Sequence, residues 1–171
     1  AGPVVSYPVF DDGLHEFGLG ITQLIGGRQM SLNGIYSSEN DYSSATLAGT
    51  FTQWFAQRNT SLQLGLVHRW DKVYPVTKDW KRDRDVTSLS ANLSQILSKR
   101  LIAQVLTSYI KDSGHLSDDY QLIPITQGDS IATFDPVHPS SRIQRAAAAR
   151  LKYRLNSKSS MQLGYRYYWD S

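Results

Sequence analysis

At 171 residues the chain fits one domain. Apolar residues make up 40% and charged ones 19%, with ten Tyr and four Trp; this is too aromatic for disorder and, with no run of eighteen apolar residues, too polar for helical membrane spans. The absence of cysteine excludes disulfides and thiolate chemistry, and a net charge of +3 does not by itself imply nucleic acid.

Residues 1–13 read as loop, with two prolines and Asp11-Asp12-Gly13. They lack a basic start and an apolar h-region, so the reading is of a processed or internal N-terminus. From His15 to Ile25 the chain alternates, with Phe17, Leu19 and Ile21 against Glu16, Gly18, Gly20 and Thr22. Gly26-Gly27 makes a tight turn. Met30, Leu32 and Tyr36 then share a face, and Glu39-Asn40-Asp41 breaks the pattern. Tyr42 to Ala56 and Thr60 to Asp71 alternate again, joined by a turn at Gln57-Arg58-Asn59. The second of these sets Leu62, Leu64, Leu66 and Trp70 against Ser61, Gln63, Gly65 and Arg69. Residues 71–85 read as a long charged loop. Val86 to Leu97 and Leu101 to Lys111 are strands around a turn at Ser98-Lys99-Arg100; the latter has apolar residues on both faces, as if a plug or another segment packed inside it. Residues 112–141, with three prolines, read as the longest loop.

The final hairpin, Arg142 to Leu155 and Ser160 to Asp170, is the clearest. Met161, Leu163, Tyr165, Tyr167 and Trp169 oppose Gln162, Gly164 and Arg166, and the arms are long for a soluble sheet. About eight long strands result, with short turns after Ile25, Ala56, Leu97 and Leu155 and long loops after Asp71 and Lys111; the connection after Ser38 is the exception. Sorting of short turns to one side and long loops to the other is the pattern of outer-membrane barrels. The expected fold is therefore all-β, an antiparallel transmembrane β-barrel or a large part of one, with residues 1–171 as a single domain and the loops 71–85 and 112–141 extracellular. The chain stops at Asp170-Ser171, directly after an aromatic strand end, which reads as a cut.

An ordered set of short stretches carries a resemblance. They are Ser37-Ser38-Glu39-Asn40-Asp41-Tyr42, Asn59-Thr60-Ser61-Leu62, Leu93-Ser94-Gln95-Ile96-Leu97-Ser98, Gly114-His115-Leu116-Ser117-Asp118-Asp119-Tyr120, His138-Pro139-Ser140-Ser141-Arg142 and Tyr165-Arg166-Tyr167-Tyr168-Trp169-Asp170. Over roughly residues 14 to 170 the chain resembles a family of Gram-negative outer-membrane proteins catalogued as a domain of unknown function. The resemblance implies a barrel longer than this segment and brings no catalytic residues.

Candidate chemistry is sparse, and no nucleotide, hydrolase or zinc-protease motif is present. His115 with Asp118 and Asp119 could hold a divalent cation, or be a solvated loop whose Asp residues cap turns. Asp135 and His138 beside Ser140-Ser141 lack an oxyanion element. Trp80 with Lys81-Arg82-Asp83-Arg84 could touch phosphates of nucleic acid or lipopolysaccharide, but the interleaved acids favour a self-paired loop. Trp54, Trp70, Tyr165, Tyr167 and Trp169 at strand ends read as membrane-interface aromatics. Arg150, Lys152, Arg154 and Arg166 share one wall of the polar face, read either as an anion-preferring lumen or plug-docking wall, or as a solvated face balanced elsewhere.

The functional expectation is an outer-membrane channel or envelope scaffold. Its partners are outer-membrane lipid and lipopolysaccharide and a periplasmic or plug protein, with no nucleic acid and no cofactor. Alternatives are a barrel enzyme and a soluble β-sandwich binding module.

Overall fold

The computed structural model describes residues 13–76, 78–117, 123–127, 130–134 and 136–171. Eight long strands follow the alternation: β1 (His15–Ile25), β2 (Arg28–Ser38), β3 (Tyr42–Phe55), β4 (Thr60–Val73), β5 (Arg82–Ser98), β6 (Leu101–Gly114), β9 (Ser141–Arg154) and β10 (Ser160–Asp170). The short strands β7 (Ile123–Gln127) and β8 (Ser130–Phe134) lie between β6 and β9. The long strands form one antiparallel sheet in the order β1-β2-β3-β4-β5-β6-β9-β10, while β7 and β8 pair only with each other.

Two expected loops are shorter than the sequence suggests. β4 continues through Lys72 to Val73 and β5 begins at Arg82, because Lys72 and Asp83 stand opposite each other in the ladder. Charged residues that resemble loop are here a cross-strand pair. The stretch 112–141 is not one loop: β6 runs to Gly114, the β7–β8 hairpin follows, and β9 begins at Ser141. The sheet is also open. Among the described residues β1 pairs only with β2 and β10 only with β9, so a closed barrel is not formed by these strands. Closure requires the outermost strands to meet at a consistent tilt and stagger, and here both keep a free edge.

The turns explain the strand ends. Gly26 and Gly27 take φ of 53° and 77°, the two left-handed positions that suit a two-residue hairpin. Ala56, Gln57 and Arg58 also lie at positive φ, an unusual run for residues with a Cβ.

Register extends the two-face pattern across the whole sheet. Ile21, Leu32, Gly49, Leu66, Leu89, Tyr109, Arg145 and Trp169 lie in one row of directly paired residues. The next row on that face holds Gln23, Met30, Phe51, Leu64, Ala91, Thr107, Ala147 and Tyr167. The mixed strand β6 conforms: Leu101, Ala103, Val105 and Tyr109 share the apolar face, and Ile102, Leu106 and Ile110 the other. The expected facing of Leu62, Leu64, Leu66, Leu151, Tyr153, Leu163, Tyr165 and Tyr167 against Ser61, Gln63, Gly65, Lys152, Arg154, Gln162 and Arg166 therefore falls on two consistent faces.

There is almost no core. Ala146 and Pro75 are the only buried apolar residues among those described, and Leu64, Leu66, Leu89 and Leu93 on central strands remain exposed. No second sheet packs on the apolar face among the described residues. A trough of about 1040 Å³ crosses this face between the two rows, from Met30 to Trp169.

Candidate functional site: the polar face

The polar face carries the charge, and it is divided along the strands. Connections 26–27, 56–59, 99–100 and 155–159 lie at one end of the sheet; 39–41, 74–81 and 115–140 lie at the other. Every described Asp and Glu sits in the half next to the longer connections. The short-turn end bears Arg28, Arg58, Lys99, Arg100, Lys152, Arg154 and Lys158 with no acid among the described residues.

At the long-loop end the acids and bases alternate from strand to strand. β4, β6 and β10 run in the same direction and carry Asp71, Asp112 and Asp170 at or near their ends on the polar face. β5 and β9 run back and carry Arg84 and Arg142 near their starts. Register sets Asp71 opposite Arg84 and Asp112 opposite Arg142. Asp71 accepts a hydrogen bond from Arg69 Nε at 2.9 Å. Arg84 grips Asp112 with both arms of its guanidinium, Nε to Oδ1 at 2.9 Å and Nη2 to Oδ2. Arg142 Nε donates to both oxygens of Asp170, at 3.1 and 2.9 Å, and Nη2 donates as well. Tyr168 O–H closes the end by donating to Asp170 Oδ2 at 3.1 Å. Planar two-pronged pairs of this kind are the strong form of the ion pair. Asp71 is the deepest member, 1% exposed, and its Oδ1 has no hydrogen-bond partner among the described residues.

The belt crosses the hydrogen-bonded rows obliquely. The row of Asp170 passes through Gln144, Ile110 and Ser88 to Val67, four residues short of Asp71 on β4. On the opposite face the row of Trp169 reaches Leu66, also four residues short of Trp70. Each Trp precedes its Asp in sequence, so one Trp-Asp pair on β4 and another on β10 mark the same oblique line on both faces.

The expected basic wall is present: Arg150, Lys152, Arg154 and Arg166 share the polar face of β9 and β10. All four are exposed, and none forms an ion pair with a described acid. On β6, Gln104 stands opposite Arg150 and Ile102 opposite Lys152, while Arg166 on β10 stands opposite Ala148. Four of the five expected interface aromatics, Trp70, Tyr165, Tyr167 and Trp169, share the apolar face. Trp54 does not. It pairs with Ser61 on the polar face at the short-turn end, with the Arg58 guanidinium 6.0 Å from its ring centre.

The loop candidates resolve differently. Asp118, Asp119 and Asp135 lie outside the described residues. His115 meets Trp80 edge-to-face at 4.9 Å, and its Nδ1 lies 3.1 Å from Arg82 Nη1. Arg82 also lies 4.2 Å above the Trp80 ring, and Lys81 Nζ is 5.4 Å from the Tyr74 ring. These cations are held by aromatic faces, where the sequence suggested pairing with the interleaved acids. His138 is bound through its backbone N–H to Ser117 Oγ at 3.4 Å. No group of three or more metal-ligating side chains occurs among the described residues.

The model of a family described as a protein of unknown function, DUF3570, matches residues 77–171. The chain belongs to this family. The DUF3570 match spans β5 to β10 and so contains Arg84, Asp112, Arg142 and Asp170 of the belt and all four residues of the basic wall. No curated protein matches the chain.

Sequence reasoning found the wall, whose members lie close together in the chain, and missed the belt, whose members lie far apart. The repeated Trp-Asp pair at the ends of two long strands was the available signal.

Proposed function

We propose that the chain forms part of the wall of a Gram-negative outer-membrane β-barrel, acting as a channel or envelope scaffold. The observation that carries this reading is an eight-stranded sheet with one continuous apolar face that no other layer among the described residues covers, backed by a charged face. A soluble sandwich needs a second sheet on the apolar face. In a membrane barrel that face meets lipid instead. The scale agrees. The apolar stripe on β4 runs from Leu62 to Trp70, and that on β10 from Met161 to Trp169. Each measures about 26 Å along the strand, or about 20 Å of height at a tilt of about 40°, near the outer-membrane band of about 25 Å.

The oblique line supports the same reading. A four-residue offset over four strand steps, at about 3.3 Å and 4.8 Å respectively, gives a slope of about 35°. That lies in the tilt range of barrel strands, about 35–45°. A membrane boundary must cut tilted strands obliquely, so Trp70 and Trp169 can sit at one depth. Arg145, on the apolar face beside Trp169, then lies at the interface with its guanidinium 5.8 Å from the Tyr109 ring; a cation there costs about 0–1 kcal/mol, against about 2–4 at the midplane.

With the polar face toward a water-filled lumen, Arg150, Lys152, Arg154 and Arg166 raise the local anion concentration. The long connections then face outward toward lipopolysaccharide and the short turns face the periplasm, where a plug or periplasmic partner would dock. The test is reversal potential across a planar bilayer under a salt gradient, for the protein and a variant with all four bases changed to Gln. Anion preference that strengthens at low salt and disappears in the variant supports the reading. Cation preference in the unmutated protein refutes it.

A further inference from the structure

The short-turn end holds a second feature, independent of any membrane. The β5–β6 and β9–β10 turns lie side by side because β6 pairs with β9, and Arg154 N–H donates to Arg100 C=O at 2.8 Å across them. Between the turns is a pocket of about 520 Å³. Five cations line it: Lys99, Arg100, Lys152, Arg154 and Lys158. No acid lines it, and none of the five pairs with a described acid. Ser98 Oγ and Asn156 Oδ1 are committed to backbone N–H groups of their own turns, at 3.2 and 2.8 Å, which fixes both turns.

Five like charges around one cavity repel, and proteins tolerate such a concentration where a counter-charge completes it. The described acids do not serve, since they lie at the other end of the sheet. The counter-charge must come from outside. Two guanidinium groups suit an oxyanion with several oxygens, and three ammonium groups suit its further negative charges. We infer that the pocket between the two turns is a binding site for a phosphate-bearing anion of more than one negative charge.

Inorganic pyrophosphate is the probe, titrated calorimetrically into the full chain folded in neutral detergent. The Lys152→Gln/Arg154→Gln double variant should lose about tenfold in affinity, the scale of one charge-assisted hydrogen bond. An Arg28→Gln/Arg58→Gln double variant removes equal charge from the other two short turns and should stay within about twofold. Because Lys152 and Arg154 lie in a strand, Lys99→Gln/Lys158→Gln repeats the test from the turns alone and should also lose about tenfold. Loss of equal size in the Arg28/Arg58 control would mean diffuse attraction and overturn the site, as would absence of pyrophosphate binding by the unmutated chain. Repeating the titration in lipid nanodiscs separates the sources. If phosphatidylglycerol weakens pyrophosphate binding relative to phosphatidylcholine, the site takes a lipid headgroup; equal binding in both makes it a site for a soluble phosphate.

Discussion

Asp71 offers the sharpest test of the charged belt. Its side chain is fully covered, whereas the side chains of Arg69 and Arg84 are 37% and 33% exposed. Changing Asp71 to Ala removes the only acid that register places opposite Arg84 on β4 and leaves Arg69 without its acceptor. Deleting one partner of a fully buried pair costs about 3–5 kcal/mol. Here the stranded guanidiniums can recover part of their hydration, so the expected loss is about 2–3 kcal/mol. Asp71→Asn keeps the volume and should fall between the Ala variant and the unmutated protein. Asp170 is the internal control. Its partner Arg142 has a side chain 53% exposed, so despite three hydrogen bonds from Arg142 and a fourth from Tyr168, Asp170→Ala should cost far less than Asp71→Ala. The assay is denaturant unfolding of the detergent-folded chain, followed by Trp fluorescence. Equal losses at Asp71 and Asp170, or a neutral Asp71→Ala, would refute burial as the source of the belt's stability.

Two further outcomes follow from the same geometry. Leu64→Arg, on the apolar face, should weaken folding into a lipid bilayer by about 2–4 kcal/mol, while Gln63→Arg, one residue away on the polar face, should have little effect; comparable losses in equilibrium folding titrations would contradict the two-face assignment. Gly114→Ala should destabilise by about 1–3 kcal/mol in the same titrations, because Gly114 takes φ of 105° and a Cβ there would run into the backbone of Asp83 and Arg84, whereas Gly34→Ala, with open space around it, should not.

Most long strands were legible because apolar and polar residues alternate along them, as Leu62, Leu64 and Leu66 do with Ser61, Gln63 and Gly65; β6, apolar on both faces, takes its place from register, which also joins Leu62, Leu151 and Leu163 on one face. The β7–β8 hairpin was not legible. Its strands span five residues each, and Pro124 in β7 removes a donor, which in sequence argues against a strand. The ends of β4 and β5 were hidden for a different reason: Lys72 and Asp83 look solvated one at a time and make sense only as opposite members of a ladder. The belt shares that property. Arg84 and Asp112 are 28 residues apart, as are Arg142 and Asp170, and only the folded register brings each pair together. Aromatic character at a strand end does not say which face Trp54 takes; its parity with Ser44 and Thr52 sets it on the polar face.

The central claim is that one face of this sheet meets lipid and the other meets water. Spin labels placed singly at Ser61, Leu62, Gln63, Leu64, Gly65 and Leu66 on β4, in the protein reconstituted into liposomes, test it most directly through collision with oxygen and with a water-soluble nickel chelate. The account predicts strict alternation, with oxygen favoured at Leu62, Leu64 and Leu66 and nickel at Ser61, Gln63 and Gly65. Uniform accessibility along the strand, or nickel favoured at the three leucines, would contradict it.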